Sequence, residues 1–265
     1  MAVLQVGDVV AAMDGLFPPS AAQSWDRVGL SVGDVDAAVT RVGFAVDPCE
    51  ATVAEAIERG AQLLVTHHPL YLRGTHAVTS ATGKGRWTMA LVREGVSLFS
   101  AHTNADVAAS TSALAGLLGV RVERPLDGET GIGGVGELEE AMTLAAFAAK
   151  VGEVLPKVPA GILAAGDPER EVRRVALCSG AGDSLLEEAN AAGADVYLTA
   201  DLRHHPATDH LWNSGCALVC ATHWASEWPL LGEMARRLAE LLGPSTPEIY
   251  VSKIPTDPWN IVVRQ

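Results

Sequence analysis

One stretch of the chain is written twice. Arg41-Val-Gly-Phe-Ala-Val46, a helical segment and Gly60-Ala-Gln-Leu-Leu-Val-Thr66 return as Arg174-Val-Ala-Leu-Cys-Ser179, another helical segment and Gly193-Ala-Asp-Val-Tyr-Leu-Thr199. The Arg-to-Gly and Gly-to-Thr spacings are the same in both copies, and the next apolar runs, Gly95 to His102 and Gly215 to His223, also correspond. Any two strand–helix–strand units look partly alike, but identical spacing over two strands and the helix between them favours duplication. Short apolar runs joined by helices call for an α/β chain whose strands are largely parallel, with right-handed crossovers. Two quasi-symmetric halves are expected, each delivering polar residues at equivalent strand ends.

The pass along the chain fills in the elements. A first helix is expected over Asp8–Leu16, stopped by Pro18-Pro19. Strand Arg41–Val46, helix Glu50–Arg59 and strand Gln62–Thr66 follow, then a loop containing Gly74 and Gly83. A helix near Trp87–Glu94, strand Val96–Ala101 and a helix from about Ala108 to Leu118 come next, with Gly119 as the stop. The Gly-rich and acidic stretch from Pro125 to Gly136 reads as the connection between halves.

Composition narrows the function. Hydrophobic residues make up 48% of the 265, enough for a sizeable core, and the net charge is −13. Such a balance excludes bulk binding to nucleic-acid phosphates and requires a local positive group for any anionic substrate. None of the four cysteines (Cys49, Cys178, Cys216, Cys220) has the paired spacing of a structural zinc site. Cys216 and Cys220 lie in an apolar run at even spacing and are expected as buried, reduced thiols. The N-terminus shows no basic segment followed by an apolar stretch, and no run approaches the roughly 20 residues of a membrane span. A cytoplasmic protein with no membrane partner is expected.

Chemistry-bearing residues gather at the strand ends, where α/β sheets bind ligands. His67 and His68 close Leu-Leu-Val-Thr66 and precede Pro69. His102, Asn104 and Asp106 follow the strand ending at Ala101, and Asp201, His204 and His205 follow Thr199. His223 and Glu227 stand four apart where a helix begins after Ala217–Ala221, which places both on one helical face. Each group has a plainer reading. Adjacent histidines on a regular strand point oppositely, Asp106 would serve as a helix cap, and His223 with Glu227 would make a surface pair. His204 and His205 are open as ligands, as groups supporting ligands or as substrate contacts. Imidazoles and carboxylates together suit two divalent cations, and no phosphate loop, dinucleotide fingerprint or nucleophile elbow competes.

Five short motifs in order resemble one known family. They are Ser24-Trp-Asp-Arg-Val-Gly-Leu-Ser-Val-Gly33, Thr66-His-His-Pro-Leu70, Ser100-Ala-His-Thr-Asn-Ala-Asp106, Ala200-Asp-Leu-Arg-His-His205 and Thr222-His-Trp-Ala-Ser-Glu227. Together they are similar to the Nif-three-like dinuclear-metal-centre proteins, also called GTP cyclohydrolase 1 type 2 homologues. The resemblance spans nearly the whole chain. It implies metal ligands at His67, His68, Asp106, His223 and Glu227, with Glu227 bridging two divalent cations (Zn, Mn, Fe or Ni). It also implies two interlinked, quasi-symmetric α/β domains, each a mostly parallel sheet with flanking helices, assembled as a toroidal homohexamer. The expected division is residues 1–127 with 210–265 as the metal-binding domain and 128–209 as the second. Two positions depart from the family pattern: Arg27 stands where Asn is usual, and Ala200 where Gly is usual.

The function expected is therefore metal-dependent hydrolysis of a nucleotide, with GTP implied by the resemblance and a phosphoester as runner-up. His102 and His205 are the expected proton shuttles, because imidazole titrates near neutral pH. Arg73, Arg203, His204 and Asn104 are the expected substrate contacts, with Lys84 and Arg86 as further basic residues nearby in sequence. The alternative is a metal-binding hexameric scaffold or regulatory protein without turnover.

Overall fold

The structure, a computed structural model, describes residues 3–263. Its strands are β1 (Gly29–Val32), β2 (Arg41–Ala45), β3 (Leu63–Thr66), β4 (Ser97–Ser100), β5 (Val120–Arg124) and β6 (Gly134–Thr143), then β7 (Leu163–Ala165), β8 (Glu171–Ala181), β9 (Val196–Ala200), β10 (Ala217–Ala221) and β11 (Glu248–Val251). The helices are α1 (Val6–Leu16), α2 (Glu50–Glu58), α3 (Gly83–Arg93), α4 (Thr103–Ala105) and α5 (Thr111–Leu118), then α6 (Leu144–Val154), α7 (Leu186–Ala191), α8 (His204–Asn213) and α9 (His223–Leu242). The chain divides into two units, Met1–Ala108 with Leu231–Thr256, and Ala109–Leu230 with Asp257–Gln265.

In the first unit the sheet order is β1-β4-β3-β2-β11. Only β1 runs antiparallel, along β4. Every residue of β3 and β4 is buried, as expected of central parallel strands covered on both faces. Leu64 and Leu98 pack with Val53, Ala56 and Leu91 of α2 and α3. A fully buried side chain of this size stabilises the fold by about 1.5–3 kcal/mol.

The second unit has the order β5-β6-β8-β9-β10-β7, with a parallel centre of β8, β9 and β10 and antiparallel pairings outside it. Alternate residues serve opposite faces, because side chains along a strand alternate. Val175, Leu177, Val196, Leu198 and Val219 pack against Leu114, Leu118, Phe147 and Val151 of α5 and α6. Ala176, Tyr197 and Leu218 pack against Leu186 and Ala189 of α7.

The duplication is present in topology and, up to Leu177, in register; beyond it β8 shifts against β9, as β2 does not against β3. Both cores place the middle strand of the repeat at the centre, β2-β3-β4 matching β8-β9-β10, all parallel. Val42 pairs with Leu63 and Leu63 with Ser97, while the corresponding Val175 pairs with Val196 and Val196 with Ala217. An antiparallel strand, β1 or β7, flanks the third member in each case. Both sheets are mixed, and antiparallel pairing is heavier in the second than a mostly parallel sheet implies, because the long β6 and β8 pair as antiparallel neighbours.

Three boundaries differ from the sequence reading. Pro125–Gly136 does not connect the halves: it joins β5 to β6, which pair antiparallel within one sheet. A Gly-rich acidic loop has the same composition whether it turns a hairpin or links domains. Residues 109–127 and 210–230 fall in the second unit, because α5 packs on β8 and β10 pairs with β9. Finally, α3 begins four residues early, at Gly83, where Thr82 Oγ1 accepts from the Gly85 amide at 3.1 Å. The four cysteines are free, and burial pushes the Cys216 thiol up to about 12 and raises that of Cys220 as well. Cys216 is buried, whereas Cys220 is half-buried.

Candidate metal centre

At the end of β3 the strand stops but its ladder continues for two residues. His67 and His68 amides donate to Ala45 and Val46 carbonyls at 3.0 and 2.9 Å. The chain then turns at Pro69, so the two rings lie 5.0 Å apart instead of on opposite faces. His102, directly after β4 and Ala101, brings a third ring to 5.1 Å from His67 and 5.3 Å from His68. Each offers a ring nitrogen, and these nitrogens lie within 4.8 Å of one another. Asp106 Oδ1 stands 3.6 Å from His67 Nε2. Asp106 does not cap a following helix: α4 already begins at Thr103, and Asp106 sits in a π-helical turn, 106–110, that runs into α5.

The second unit supplies another cluster. His223 opens α9 and Glu227 lies one turn on, with His223 Nε2 2.9 Å from Glu227 Oε1. Both expectations for this pair hold: the helix has started, and the two side chains share its face. Asp257 accepts from Thr222 Oγ1 at 2.5 Å and from the Trp224 amide at 3.4 Å, which caps the helix on both sides of His223.

All four histidines use Nδ1 for support. His67 Nδ1 bonds the Ala101 carbonyl at 3.0 Å, His68 the Asp47 carboxylate at 2.7 Å, His102 that of Asp26 at 2.9 Å and His223 that of Asp201 at 2.7 Å. An acceptor on Nδ1 fixes the proton there and turns the Nε2 lone pair outward, the arrangement found behind metal-binding histidines. The Nε2 atoms of His67 and His223 then face carboxylate oxygens of Asp106 and Glu227. Ring nitrogens and carboxylate oxygens at this range are an arrangement that a shared cation satisfies. Nitrogen and oxygen donors without thiolate fit a divalent ion of the zinc-to-manganese range. The donor set fits the group.

Asp26 is the most deeply set support. Its side chain is fully buried and accepts from His102, from the Thr103 amide at 3.0 Å, from Thr103 Oγ1 at 2.5 Å and from the Arg27 amide at 2.7 Å. Burial pushes its carboxyl upward, but the bonds from His102 and Thr103 prevail and hold it well below the usual carboxylate range. Asp201 is the strained support, with φ of +54°, the one non-glycine residue in the left-handed region among those described. Gly180, near the end of β8, comes so close to Glu227 that a side chain there would have to displace the Glu227 carboxylate.

The remaining expected site residues are placed elsewhere. Asn104 is fully buried; its Nδ2 donates to the Phe17 carbonyl at 2.6 Å and its Oδ1 accepts from the His102 amide at 2.9 Å, so it braces the turn instead of facing substrate. Arg203 pairs with Asp183 at 2.5 Å. His204 and His205 are exposed on the first turn of α8, with rings 5.1 Å apart, and belong to neither cluster among the described residues. Arg73 is exposed in a loop. Sequence reasoning missed Asp26, Asp47 and Gly180 as parts of the site, and placed Asp201 at its strand end without giving it a role. The available signal was a carboxylate just past β2 and another beside Trp25.

Two mixed sheets flanked by helices, with His and Glu clusters of a composition consistent with a dinuclear metal site, define the class: an α/β protein with candidate metal ligands at its strand ends. The family model described as Duf34/NIF3 (NGG1p interacting factor 3) matches residues 4–258, and the chain belongs to that family. A Streptomyces coelicolor protein named GTP cyclohydrolase 1 type 2 homolog is 47% identical, over 96% of this chain and 93% of its own. The fold is that of a Bacillus cereus protein related to NIF3, at a TM-score of 0.90 and 21% identity, covering 99% of this chain and 100% of that one. A Staphylococcus aureus hypothetical protein matches at a TM-score of 0.84 and 27% identity, over 98% of this chain and 100% of that one. Among the described residues no helix is long and apolar enough to cross a membrane.

Proposed function

We propose that this protein is a divalent-metal-dependent hydrolase acting on a nucleotide, with GTP as the first substrate to test. In this reading His67, His68, Asp106, His223 and Glu227 hold two cations, Glu227 bridges them, and the protomers form a toroidal homohexamer. The observation that supports it is the Nδ1 support of His67, His68 and His223, which orients the Nε2 of each for ligation. Divalent cations bound there would acidify water and polarise a substrate oxygen on the electrophilic carbon or phosphorus. The chain's own groups do the rest. His102 is held by Asp26 beside His67 and His68, which suits it to take or return a proton. Trp25 stands edge-on to His102 at 5.9 Å with half its surface exposed, an apolar wall against which a planar base would rest.

A second reading, a metal-binding scaffold without turnover, has one observation in its favour. Arg203, expected to hold substrate phosphates, is already engaged by Asp183, and this acidic chain has few cations to replace it. One experiment separates the two. Formate release from GTP by protein loaded with Zn, Mn, Fe or Ni is compared with a metal-stripped control. Metal-dependent release supports the hydrolase; none with any metal, alongside bound cation, leaves the scaffold or a phosphoesterase. Light scattering of the purified protein tests the hexamer.

A further inference from the structure

We infer that Gly180 is a positioning residue for the second cluster, setting where the Glu227 carboxylate and His223 Nε2 stand by carrying no side chain. The inference rests on the metal reading above. A Cβ at this position would lie 2.4 Å from Glu227 Oε1 and 3.3 Å from His223 Nε2, and real Cβ contacts essentially never fall under 3.0 Å. Glu227 is 4% exposed, so its carboxylate has little room to swing aside. Gly180 also has φ of +68°, in the region that side chains resist.

Nor can the Gly180 backbone retreat. Its amide donates to Ser226 Oγ at 2.9 Å, and its carbonyl accepts from Thr199 Oγ1 at 3.1 Å. Ser226 Oγ in turn donates to the His223 carbonyl at 2.8 Å. These three bonds tie β8, the end of β9 and the first turn of α9 into one assembly around the ligand pair. In the first repeat the corresponding position is Asp47, whose carboxylate supports His68. In the second, the volume into which a side chain would grow belongs to Glu227.

The test is the binding of Zn²⁺ and, separately, Mn²⁺ to the full chain, by titration calorimetry and by metal content after desalting. Gly180→Ala should weaken both sites that Glu227 serves, the one that His223 shares by about 10–100-fold, the range seen when support around a metal is disturbed, and the other by less. Gly193→Ala is the control: its φ of +66° imposes the same backbone strain, but an added Cβ meets nothing within 4 Å. It should lower the melting temperature and leave both sites intact. In a Gly180→Ala background, Glu227→Asp shortens the carboxylate by one methylene and should recover part of the lost affinity. Wild-type affinity in Gly180→Ala, or equal loss in Gly193→Ala, would overturn the inference. If Gly180→Ala does not fold, Ser226→Ala releases the Gly180 amide without adding an atom and should weaken the site that His223 shares several-fold; unchanged binding there also overturns it. Wild-type protein that binds neither cation overturns the metal reading itself, and this inference with it.

Discussion

The two copies of the repeat share strand order and direction, and register as far as Leu177, beyond which β8 shifts against β9; their strand ends carry different residues. After β2 stands Asp47; its counterpart near the end of β8 is Gly180. Past β3 stand His67 and His68; at the end of β9 their counterparts are Ala200 and Asp201. In the first copy a carboxylate on one strand supports a histidine on the next, Asp47 to His68. In the second the same relation has moved over by one strand, Asp201 to His223. Duplicated strands therefore bring side chains to the same edge of each sheet, and substitution decides which of them clusters, which supports a histidine and which stays clear.

The comparison breaks most visibly at Glu227. Glu227→Ala should cost more than the ~10–100-fold typical of supporting groups and should empty both cation positions, since a bridging carboxylate serves both. His67→Ala and His68→Ala should each remove about one equivalent of metal. Equal losses in all three variants would mean that Glu227 does not bridge. Competition against a chromophoric chelator reads these differences.

Next come the two supports. Asp47→Asn and Asp201→Asn each keep the shape but weaken the acceptor facing Nδ1, and each should lower metal affinity by about 10–100-fold. The affected cation should differ between them if the copies divide the work. Loss of the same equivalent by both variants would show that the strand shift has no functional meaning.

The smallest effect concerns the hairpin that only the second sheet carries. Asp127 accepts from the Thr130 hydroxyl and from the Glu129 amide at 2.9 Å, and Thr130 in particular holds its carboxyl below the usual range. A lowered folded-state value means the contribution is complete above the unfolded value of about 3.9 and is lost as pH falls through the folded value. Asp127→Ala should therefore cost under ~1 kcal/mol at pH 7, with the difference from wild type shrinking in acid. Urea midpoints at pH 7 and pH 3 test the sign.

How much was legible beforehand follows from the range of the interactions. Apolar runs ended by His67-His68, His102 and His223 announced both the strands and the side chains that cluster at their ends, because strand and cluster residue adjoin in sequence. Asp26 could not be assigned, since it reaches His102 across 76 positions and a lone carboxylate looks the same as a cap. Asn104 misled for the opposite reason: its neighbours bind, but its amide is consumed by backbone groups at a tight turn. Arg203 looked available because Asp183, its partner, lies 20 residues away on the far side of α7.

Asp201 carries a consequence for how this protein would respond to selection. A non-glycine residue in the left-handed region costs of order 1–3 kcal/mol, so Asp201→Gly relieves the backbone and should raise the melting temperature. The same change deletes the carboxylate that orients His223. A screen that rewards heat resistance alone would thus favour glycine at position 201 and discard the support, yielding a hardier protein whose His223 ring has lost its anchor.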